Sequence, residues 1–163
     1  MIVIGIDPGL DGAMALLCTK PAIHIEVSTI PHHLLRISGK PRRRLDMHGT
    51  WAAIRALGFS APDLVVLEDI GGGRPKQSGG VSFGRGAGAL EMAIVAAELP
   101  LHLVVPTVWK RALKLTSNKD ATRLAASRLF PAFAHLWPLI KDDGKAEAAL
   151  LAWYGATQVV GAS

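Results

Sequence analysis

The chain opens with an apolar run that ends on a carboxylate. Residues Ile2 to Ile6 predict a strand that is buried on both faces, and Asp7 follows where this strand should end. Turn residues at Pro8-Gly9 and Asp11-Gly12 then reverse the chain, and Ala13 to Cys18 predict the second strand of a hairpin. An isolated charge in an apolar interior costs far more free energy than it returns. Asp7 is therefore expected to be paired with a cation, hydrogen-bonded at a surface cleft, or both, unless it simply forms the turn.

A second apolar run, from Leu64 to Leu67, also ends on acids, Glu68 and Asp69. The amphipathic segment from Leu45 to Leu57 predicts a helix, and a right-handed helical crossover would make the two apolar strands parallel neighbours. Their carboxyl ends, with Asp7 and Glu68, would then lie together. Two like charges held that close need a metal ion or a shared proton. Asp69 points to the opposite face and is assigned a solvent-facing role, which is also the alternative for Glu68.

The third group of acids lies near the end of the chain. Asp142, Asp143 and Glu147 flank the start of an alanine-rich segment, Ala146 to Tyr154, that predicts a helix. Residues four apart on a helix differ by about 40° in direction, so Asp143 and Glu147 would project from one face. Asp142 lies about 140° from Glu147, so Asp143 is preferred. Capping of the helix N-terminus is the alternative role for either aspartate.

The remaining segments complete an α/β pattern. Strands are predicted over Ala22–Thr29 and Leu101–Val105, and helices over Thr107–Leu115, Lys119–Phe130 and Ala87–Leu99. The last of these is apolar nearly all round, so it is covered either by the sheet plus a partner subunit or wholly within the chain. The order of elements predicts a five-stranded mixed sheet, three antiparallel strands followed by parallel strands, flanked by helices.

Basic residues outnumber acidic ones by 18 to 13, and the sequence pI is near 9.7. A polyanion such as nucleic acid is the natural partner of such a surface, although a merely solvated surface has the same pattern. Pro31 to Arg44 is expected to be an exposed basic connection, and Gly71 to Gly88 a mobile, basic loop. The basic candidates for nucleic-acid binding are Arg42, Arg43, Arg44, Arg74, Lys76, Arg85, Lys110, Arg111, Lys114 and Lys119.

Several classes of function are excluded by what the sequence lacks. A single cysteine, Cys18, forbids an internal disulfide, and no cysteine–histidine cluster marks a zinc site. The glycines of residues 71–88 lack the spacing of a phosphate-binding loop, so no nucleotide cofactor is expected. No apolar run reaches the roughly 20 residues that cross a membrane, and no signal segment precedes the first strand. We expect a protein of a reducing, cytoplasm-like compartment, with one domain over residues 1–163.

The acids together indicate a metal-dependent hydrolase. Carboxylates at Asp7, Glu68, Asp143 and Glu147 would converge on one site, and oxygen ligands suit Mg²⁺ or Mn²⁺. Two such ions about 4 Å apart can activate water and stabilise the leaving oxygen when a phosphodiester is cut. The expected cofactor is two Mg²⁺ ions for each site, with Mn²⁺ as a substitute.

Three motifs, GIDPGLDG, PDLVVLEDI and DDGKAEAALLAWYG, occur in the element order βββαβαβα. This combination resembles the RuvC family of Holliday-junction resolvases, which has the ribonuclease H-like fold, and the alanine-rich ending is similar to its phage-encoded branch. The resemblance covers Met1 to about Gly155. It implies that Asp7 bridges both metal ions, that Glu68 binds one, and that Glu147 with Asp143 binds the other.

The same resemblance implies partners and a reaction. A homodimer would bind a four-way DNA junction and nick opposed strands symmetrically, leaving 5′-phosphate and 3′-hydroxyl ends. Lys110, in VPTVWK, and Lys119 match positions where family members carry basic residues at the scissile strand. Either lysine would steady the charge that develops during cleavage.

The chain departs from the family pattern in two places. Bacterial members have their last acids three apart, whereas Asp143 and Glu147 are four apart, so Asp142 stays open as an alternative third ligand. An aromatic wedge follows the glutamate in that family, but Gly71 stands at this position and Phe83 is the candidate substitute that would contact DNA.

Alternative functions follow from these departures. Loss of a wedge would relax selectivity toward other branched DNA, which makes a fork or flap endonuclease one alternative. A catalytically silent junction-binding protein on the same fold is another, and the complete set of acids argues against it. Actin-like ATPases and sugar kinases share the opening Gly-Ile-Asp pattern, but they need a second, duplicated domain. The length of 163 residues leaves no room for one.

Overall fold

The computed structural model describes residues 1–9, 11–69, 80–116 and 118–161. Its strands are β1 (Ile2–Ile6), β2 (Ala13–Cys18), β3 (His24–Thr29), β4 (His32–Ile37), β5 (Lys40–Leu45), β6 (Leu64–Glu68) and β7 (Leu101–Val104). Its α-helices are α1 (Met47–Gly58), α2 (Gly80–Ala96), α3 (Pro106–Ala112), α4 (Lys119–Leu129) and α5 (Asp143–Tyr154). Short 3₁₀ turns cover Pro131–Leu136 and Ile140–Asp142, and a π-helical turn, Gly155–Val160, follows α5.

A five-stranded sheet in the order β3-β2-β1-β6-β7 forms the centre of the fold. The pairs β1–β2 and β2–β3 are antiparallel, and the pairs β1–β6 and β6–β7 are parallel. The predicted mixed sheet, with three antiparallel strands followed by parallel ones, is therefore confirmed. The two apolar runs that end on acids, β1 and β6, are neighbours at its centre because each needs both faces covered.

Helices cover the two faces of the sheet. Val3 and Val66 pack in the cluster that contains α5, whereas Ile4 and Val65 pack in the cluster that contains residues of α1 and α2. The approach of α5 to β1 is so close that a side chain at Gly5 would overlap the backbone of α5. Glycine at this position therefore lets the helix lie directly on the central strand.

The basic connection expected over Pro31 to Arg44 is wrong, because these residues form a separate two-stranded hairpin, β4–β5. Ser38 and Gly39 turn the chain between Ile37 and Lys40, and both have positive φ angles, 50° and 75°. Two such residues make the type of turn that matches the twist of a hairpin. The run of arginines obscured this Ser-Gly turn signal, and β4 is exposed along its length.

The mobile loop expected over residues 71–88 is wrong for its second part, because α2 begins at Gly80. Phe83 and Arg85 therefore lie on a helix. Leu90 and Ile94 are fully buried one turn apart, and their packing against the sheet offsets the low helix propensity of the glycines before them. Within the described ranges, no helix has both the length and the apolar character to cross a membrane.

Candidate metal centre

Three carboxylates from three elements meet at the carboxyl ends of the central strands. Asp7 follows the last residue of β1, Glu68 is the last residue of β6, and Glu147 lies on α5. One oxygen of each side chain lies within 4.8 Å of the other two. The parallel pairing of β1 with β6 brings Asp7 and Glu68 to one edge, since Ile6 and Leu67 are paired directly before them. These three side chains form the carboxylate centre.

Glu147, the third carboxylate, reaches the strand ends because α5 begins against the turn between β1 and β2. The helix starts at Asp143, earlier than the sequence predicts, so Asp143 and Glu147 share one helix. A side chain at Gly144 would overlap the carbonyl oxygen of Asp11, and its Cβ would lie 3.1 Å from Oδ2 of Asp7. Gly144 therefore allows the approach that holds Glu147 beside the strand ends.

Burial and mutual repulsion disfavour the charged forms of the carboxylates in this centre. The pKa of Asp7 is raised from 3.8 to about 7, first of all by burial and then by the negative charges of Glu68, Glu147 and Asp143. A hydrogen bond at 3.2 Å from the backbone N–H of Gly9 opposes this rise. Buried carboxylates that repel one another gain most from a divalent cation, so the donor set fits a hard metal ion with oxygen ligands.

An indole holds the second carboxylate in place. Trp109 is fully buried on α3, and its Nε1 donates a hydrogen bond to Oε1 of Glu68 at 2.9 Å. Burial raises the pKa of Glu68, and this hydrogen bond is the largest effect that opposes the rise. The sequence predicts a helix over Thr107–Leu115 but assigns no role to Trp109 within it. The signal available was chemical, because a buried indole N–H needs an acceptor.

Lys110 forms an ion pair with Glu147, the third carboxylate. Nζ of Lys110 lies 2.8 Å from Oε1 of Glu147, and both side chains are largely buried. The same Nζ lies 5.0 Å from the ring centroid of Trp109. The positive charge also counters the rise in the pKa of Glu68. Lys110 was predicted from the family resemblance to act at the scissile strand. Its ammonium group lies directly against one carboxylate of the centre, that of Glu147.

The two aspartates that precede Glu147 have different surroundings. Asp142 is buried, and its carboxylate accepts hydrogen bonds from Lys145 at 2.8 Å and from the backbone of Leu139 at 3.1 Å. The hydrogen bond from Lys145 is the first cause of its lowered pKa. Both oxygens of Asp142 are thus engaged away from the centre. Asp143 lies outside the three-carboxylate group but close enough to raise the pKa of Asp7, and its role as a ligand stays a prediction.

The predicted DNA-binding residues are distributed over three elements. They lie on the hairpin (Arg42, Arg43, Arg44), on the start of α2 (Phe83, Arg85), and on or just after α3 (Lys110, Arg111, Lys114). Arg74 and Lys76 lie outside the described residues, as do the predicted wedge position Gly71 and the side chain of Lys119. Arg43 forms an ion pair with Asp11 at 2.6 Å, which attaches the hairpin to the turn after β1.

Solved structures share this fold over nearly the whole chain. Thermus thermophilus RuvC is 19% identical, with a TM-score of 0.58 over 96% of each chain. T. thermophilus RuvC in complex with a Holliday junction substrate is 21% identical, with a TM-score of 0.62 over 97% of this chain and 96% of that one. A Fowlpox virus resolvase in complex with Holliday junction DNA is 17% identical, with a TM-score of 0.54 over 98% of this chain and 99% of that one.

These similarities confirm the ribonuclease H-like fold predicted from the sequence. No model of a known protein family matches the chain, and no curated protein matches it. The fold is therefore shared with structures whose sequences are identical to this chain at only about one residue in five.

Proposed function

We propose that this protein is a metal-dependent endonuclease that resolves four-way DNA junctions by paired, symmetric nicks. The observation that carries the proposal is the carboxylate centre at the ends of β1 and β6, in a fold shared with RuvC and with a poxvirus resolvase solved with junction DNA. The excess of 18 basic over 13 acidic residues favours a polyanionic substrate. In this function the whole chain acts as a single nuclease domain.

Two Mg²⁺ ions, for which Mn²⁺ can substitute, are the proposed cofactor. Asp7, Glu68 and Glu147 would hold them, with Asp143 as a further ligand at the start of α5. Such ions supply a Lewis acid and an activated water for attack on a phosphodiester. The products of this attack are 5′-phosphate and 3′-hydroxyl ends.

The chain itself contributes position and charge. Trp109 fixes the orientation of Glu68 through its hydrogen bond, so this carboxylate is ready to bind a metal ion without rearrangement. Lys110 is held at Glu147 by an ion pair, from which its ammonium can turn toward a phosphate oxygen that gains charge during cleavage. Lys119 is the second basic residue that we assign to the scissile strand.

Two nicks in opposed strands require two such centres, so the active form is proposed to be a homodimer. The sequence left open whether α2 is covered by a partner subunit or lies wholly within the chain, and this helix exposes Met92 and Val95, at 65% and 54% of their surface. Met92 and Val95 are three residues apart, so they lie on one face of α2 and offer an apolar surface for a second subunit.

Cleavage of defined DNA substrates tests the proposal. Wild type and Asp7→Asn are incubated with a labelled immobile four-way junction, a Y-fork and linear duplex, with and without Mg²⁺. We expect paired symmetric nicks in the junction that require Mg²⁺ and Asp7, while Asp7→Asn binds the junction as well as or better than wild type because a negative charge near DNA phosphates is removed. The matched control is Asp63→Asn, at the opposite end of β6, which should cut normally.

Other outcomes decide between the alternatives. Equal cleavage of forks and junctions would show a broader branched-DNA endonuclease. Binding of the junction without cleavage, in Mg²⁺ and in Mn²⁺, would show a catalytically silent junction-binding protein. Cleavage by Asp7→Asn at the wild-type rate would refute the role of the carboxylate centre.

A further inference from the structure

The β4–β5 hairpin stands apart from the central sheet. It forms a two-stranded ribbon of its own, and a Cβ at Gly39, in its turn, would meet no atom within 4 Å. Every residue of β4 is exposed, and so are the first three residues of β5, from Lys40 to Arg42. The outer half of the hairpin, residues 36–42, is therefore open to solvent, and we call it the hairpin tip.

The hairpin tip carries three cations that the fold leaves without an ionic partner. Arg36, Lys40 and Arg42 are exposed, and within the part of the chain that the structure describes none of them forms an ion pair. No acid occurs in the sequence from His32 to Leu45. Because like charges on one short segment repel one another, the tip gains free energy when an anion lies against it. Of the three cations, only Arg42 was predicted to bind nucleic acid.

Strand pairing places these cations on both faces of the ribbon. Arg36 and its partner Pro41 lie on one face. Ile37 and its partner Lys40 lie on the other face, and Arg42 shares it because alternate residues of a strand point the same way. A ribbon that lay flat on an anionic surface would need cations on one face only. Cations on both faces fit a groove that has phosphates along both walls.

The major groove of duplex DNA has the matching dimensions. It is about 12 Å wide and admits a two-stranded β-ribbon, whereas the minor groove is only about 6 Å wide. Leu34 and Ile37 are 70% and 38% exposed, and apolar side chains in this groove contact the methyl groups of thymine. The apolar and the basic residues of the ribbon therefore both find partners in one groove.

The base of the hairpin determines where such a duplex would lie. Nη1 of Arg43 lies 2.6 Å from Oδ1 of Asp11, which belongs to the turn that follows Asp7. Lys40 is three residues closer to the tip than Arg43, a distance of about 10 Å along an extended strand. A base pair of DNA rises about 3.4 Å, so the tip would meet the duplex about three or more base pairs from the carboxylate centre.

We propose that the hairpin tip binds in the major groove of a duplex arm of the DNA whose strand is cut at the carboxylate centre. Arg36 would contact the phosphates of one wall, and Lys40 and Arg42 those of the other. Leu34 would contact base edges on the floor of the groove. This inference rests on the proposed function and adds to it a duplex-binding site at a distance from the cut.

The salt dependence of affinity counts phosphate contacts, so it tests the proposal directly. Binding of an immobile four-way junction is measured in Ca²⁺ at several NaCl concentrations for wild type and for the variant Arg36→Gln/Lys40→Gln/Arg42→Gln. Each phosphate contact contributes about 0.9 to the slope of log K against log[salt], so the slope should fall by about 2–3 in this variant. The variant Arg36→Lys/Lys40→Arg/Arg42→Lys keeps the three charges and should keep the slope.

The matched control removes the same charge from exposed positions outside the hairpin. Lys20→Gln/Arg55→Gln/Arg128→Gln should change the slope by less than about 1. Leu34→Ala should weaken binding by about 3- to 10-fold without changing the slope, because an apolar contact releases no counterions.

Neutral DNA linkages locate the contact on the duplex. Methylphosphonates placed about three to eight base pairs from the nick should weaken binding by wild type but not by the triple glutamine variant, because that variant has already lost the same contacts. When this arm is replaced by a single strand, wild type and the triple glutamine variant should bind with the same slope, because no groove remains.

Several outcomes would overturn the inference. They are an unchanged slope in the triple glutamine variant, an equal fall of the slope in the control variant, and an equal effect when the arm is single-stranded. Dissociation of a dimer by Leu34→Ala would instead show that the hairpin is an interface between copies of the chain. Cleavage by wild type is measured separately, so these outcomes leave the proposed nuclease standing. A hairpin-dependent slope without any cleavage would refute the nuclease alone.

Discussion

Replacing Trp109 by phenylalanine should weaken metal binding without changing any proposed ligand. The substitution removes the indole N–H that donates to Oε1 of Glu68 at 2.9 Å, in a place where Trp109 is fully buried and Glu68 is 8% exposed. A hydrogen bond to a charged group contributes about 1.5–3 kcal/mol. Its loss would raise the pKa of Glu68 further, because burial already raises this pKa and the indole is the largest effect that opposes the rise. We therefore expect a 10–100-fold loss of Mn²⁺ or Mg²⁺ affinity, the range seen for such supporting residues.

Calorimetric titration with Mn²⁺ at pH 6.5 and 8.5 measures this effect. Protons compete with the cation for Glu68, so the loss of affinity should be larger at pH 6.5 and smaller at pH 8.5, where more of the carboxyl is ionised. The matched control is Trp137→Phe, because Trp137 is also fully buried and its indole donates to Ser127 at 3.0 Å. Equal metal affinities for the two variants, after a comparable loss of stability, would refute the reasoning.

Three further predictions concern the same centre. Asp7→Asn should be more stable than wild type in urea at pH 8 without metal, by at most about 4 kcal/mol, and this gain should shrink toward pH 4. The reason is that the pKa of Asp7 in the folded protein, about 7, lies above its ordinary value of 3.8, so stability is lost as the pH rises between these values. Lys110→Met should bind metal but cut about 10²–10³-fold more slowly in single-turnover assays, while Lys20→Met, at the far end of β2, cuts normally. Gly144→Ala should lower the free energy of unfolding by about 1–3 kcal/mol and reduce the metal-induced rise in melting temperature. Gly84→Ala in α2, whose Cβ would meet nothing within 4 Å, should instead stabilise the protein by about 0.5–1 kcal/mol in the same melts.

The five-stranded sheet was predictable because its strands are marked in the sequence by apolar or alternating runs of residues. The short apolar run from Leu64 to Leu67, with a turn before it, is typical of a strand buried on both faces, and the helical crossover before it predicted that this strand lies parallel to the first one. The hairpin was not, since Leu34 and Leu35 are adjacent and both exposed, and no alternation of apolar and polar residues marks β4. Ser38 and Gly39 turn the chain between its strands, and every residue of β4 is exposed.

The candidate site was predictable in proportion to how locally each residue is determined. Asp7 and Glu68 follow from strand ends, and Glu147 follows from helical spacing relative to Asp143. Their assignment as ligands stays a prediction. Trp109 could not be assigned, because its acceptor is 41 residues away in sequence and the contact depends on how α3 lies against β6.

The buried carboxylates of the centre repel one another, and the chain reduces this repulsion in three ways. The raised pKa of Asp7 lets it hold a proton near neutral pH, the indole of Trp109 donates to Glu68, and the ammonium of Lys110 pairs with Glu147. Each device lowers the cost of burying a charge, yet the proton and the ammonium can both be displaced by a cation. The indole cannot, because it belongs to the core. Metal binding should therefore release a proton and free Lys110, while Glu68 keeps its orientation throughout.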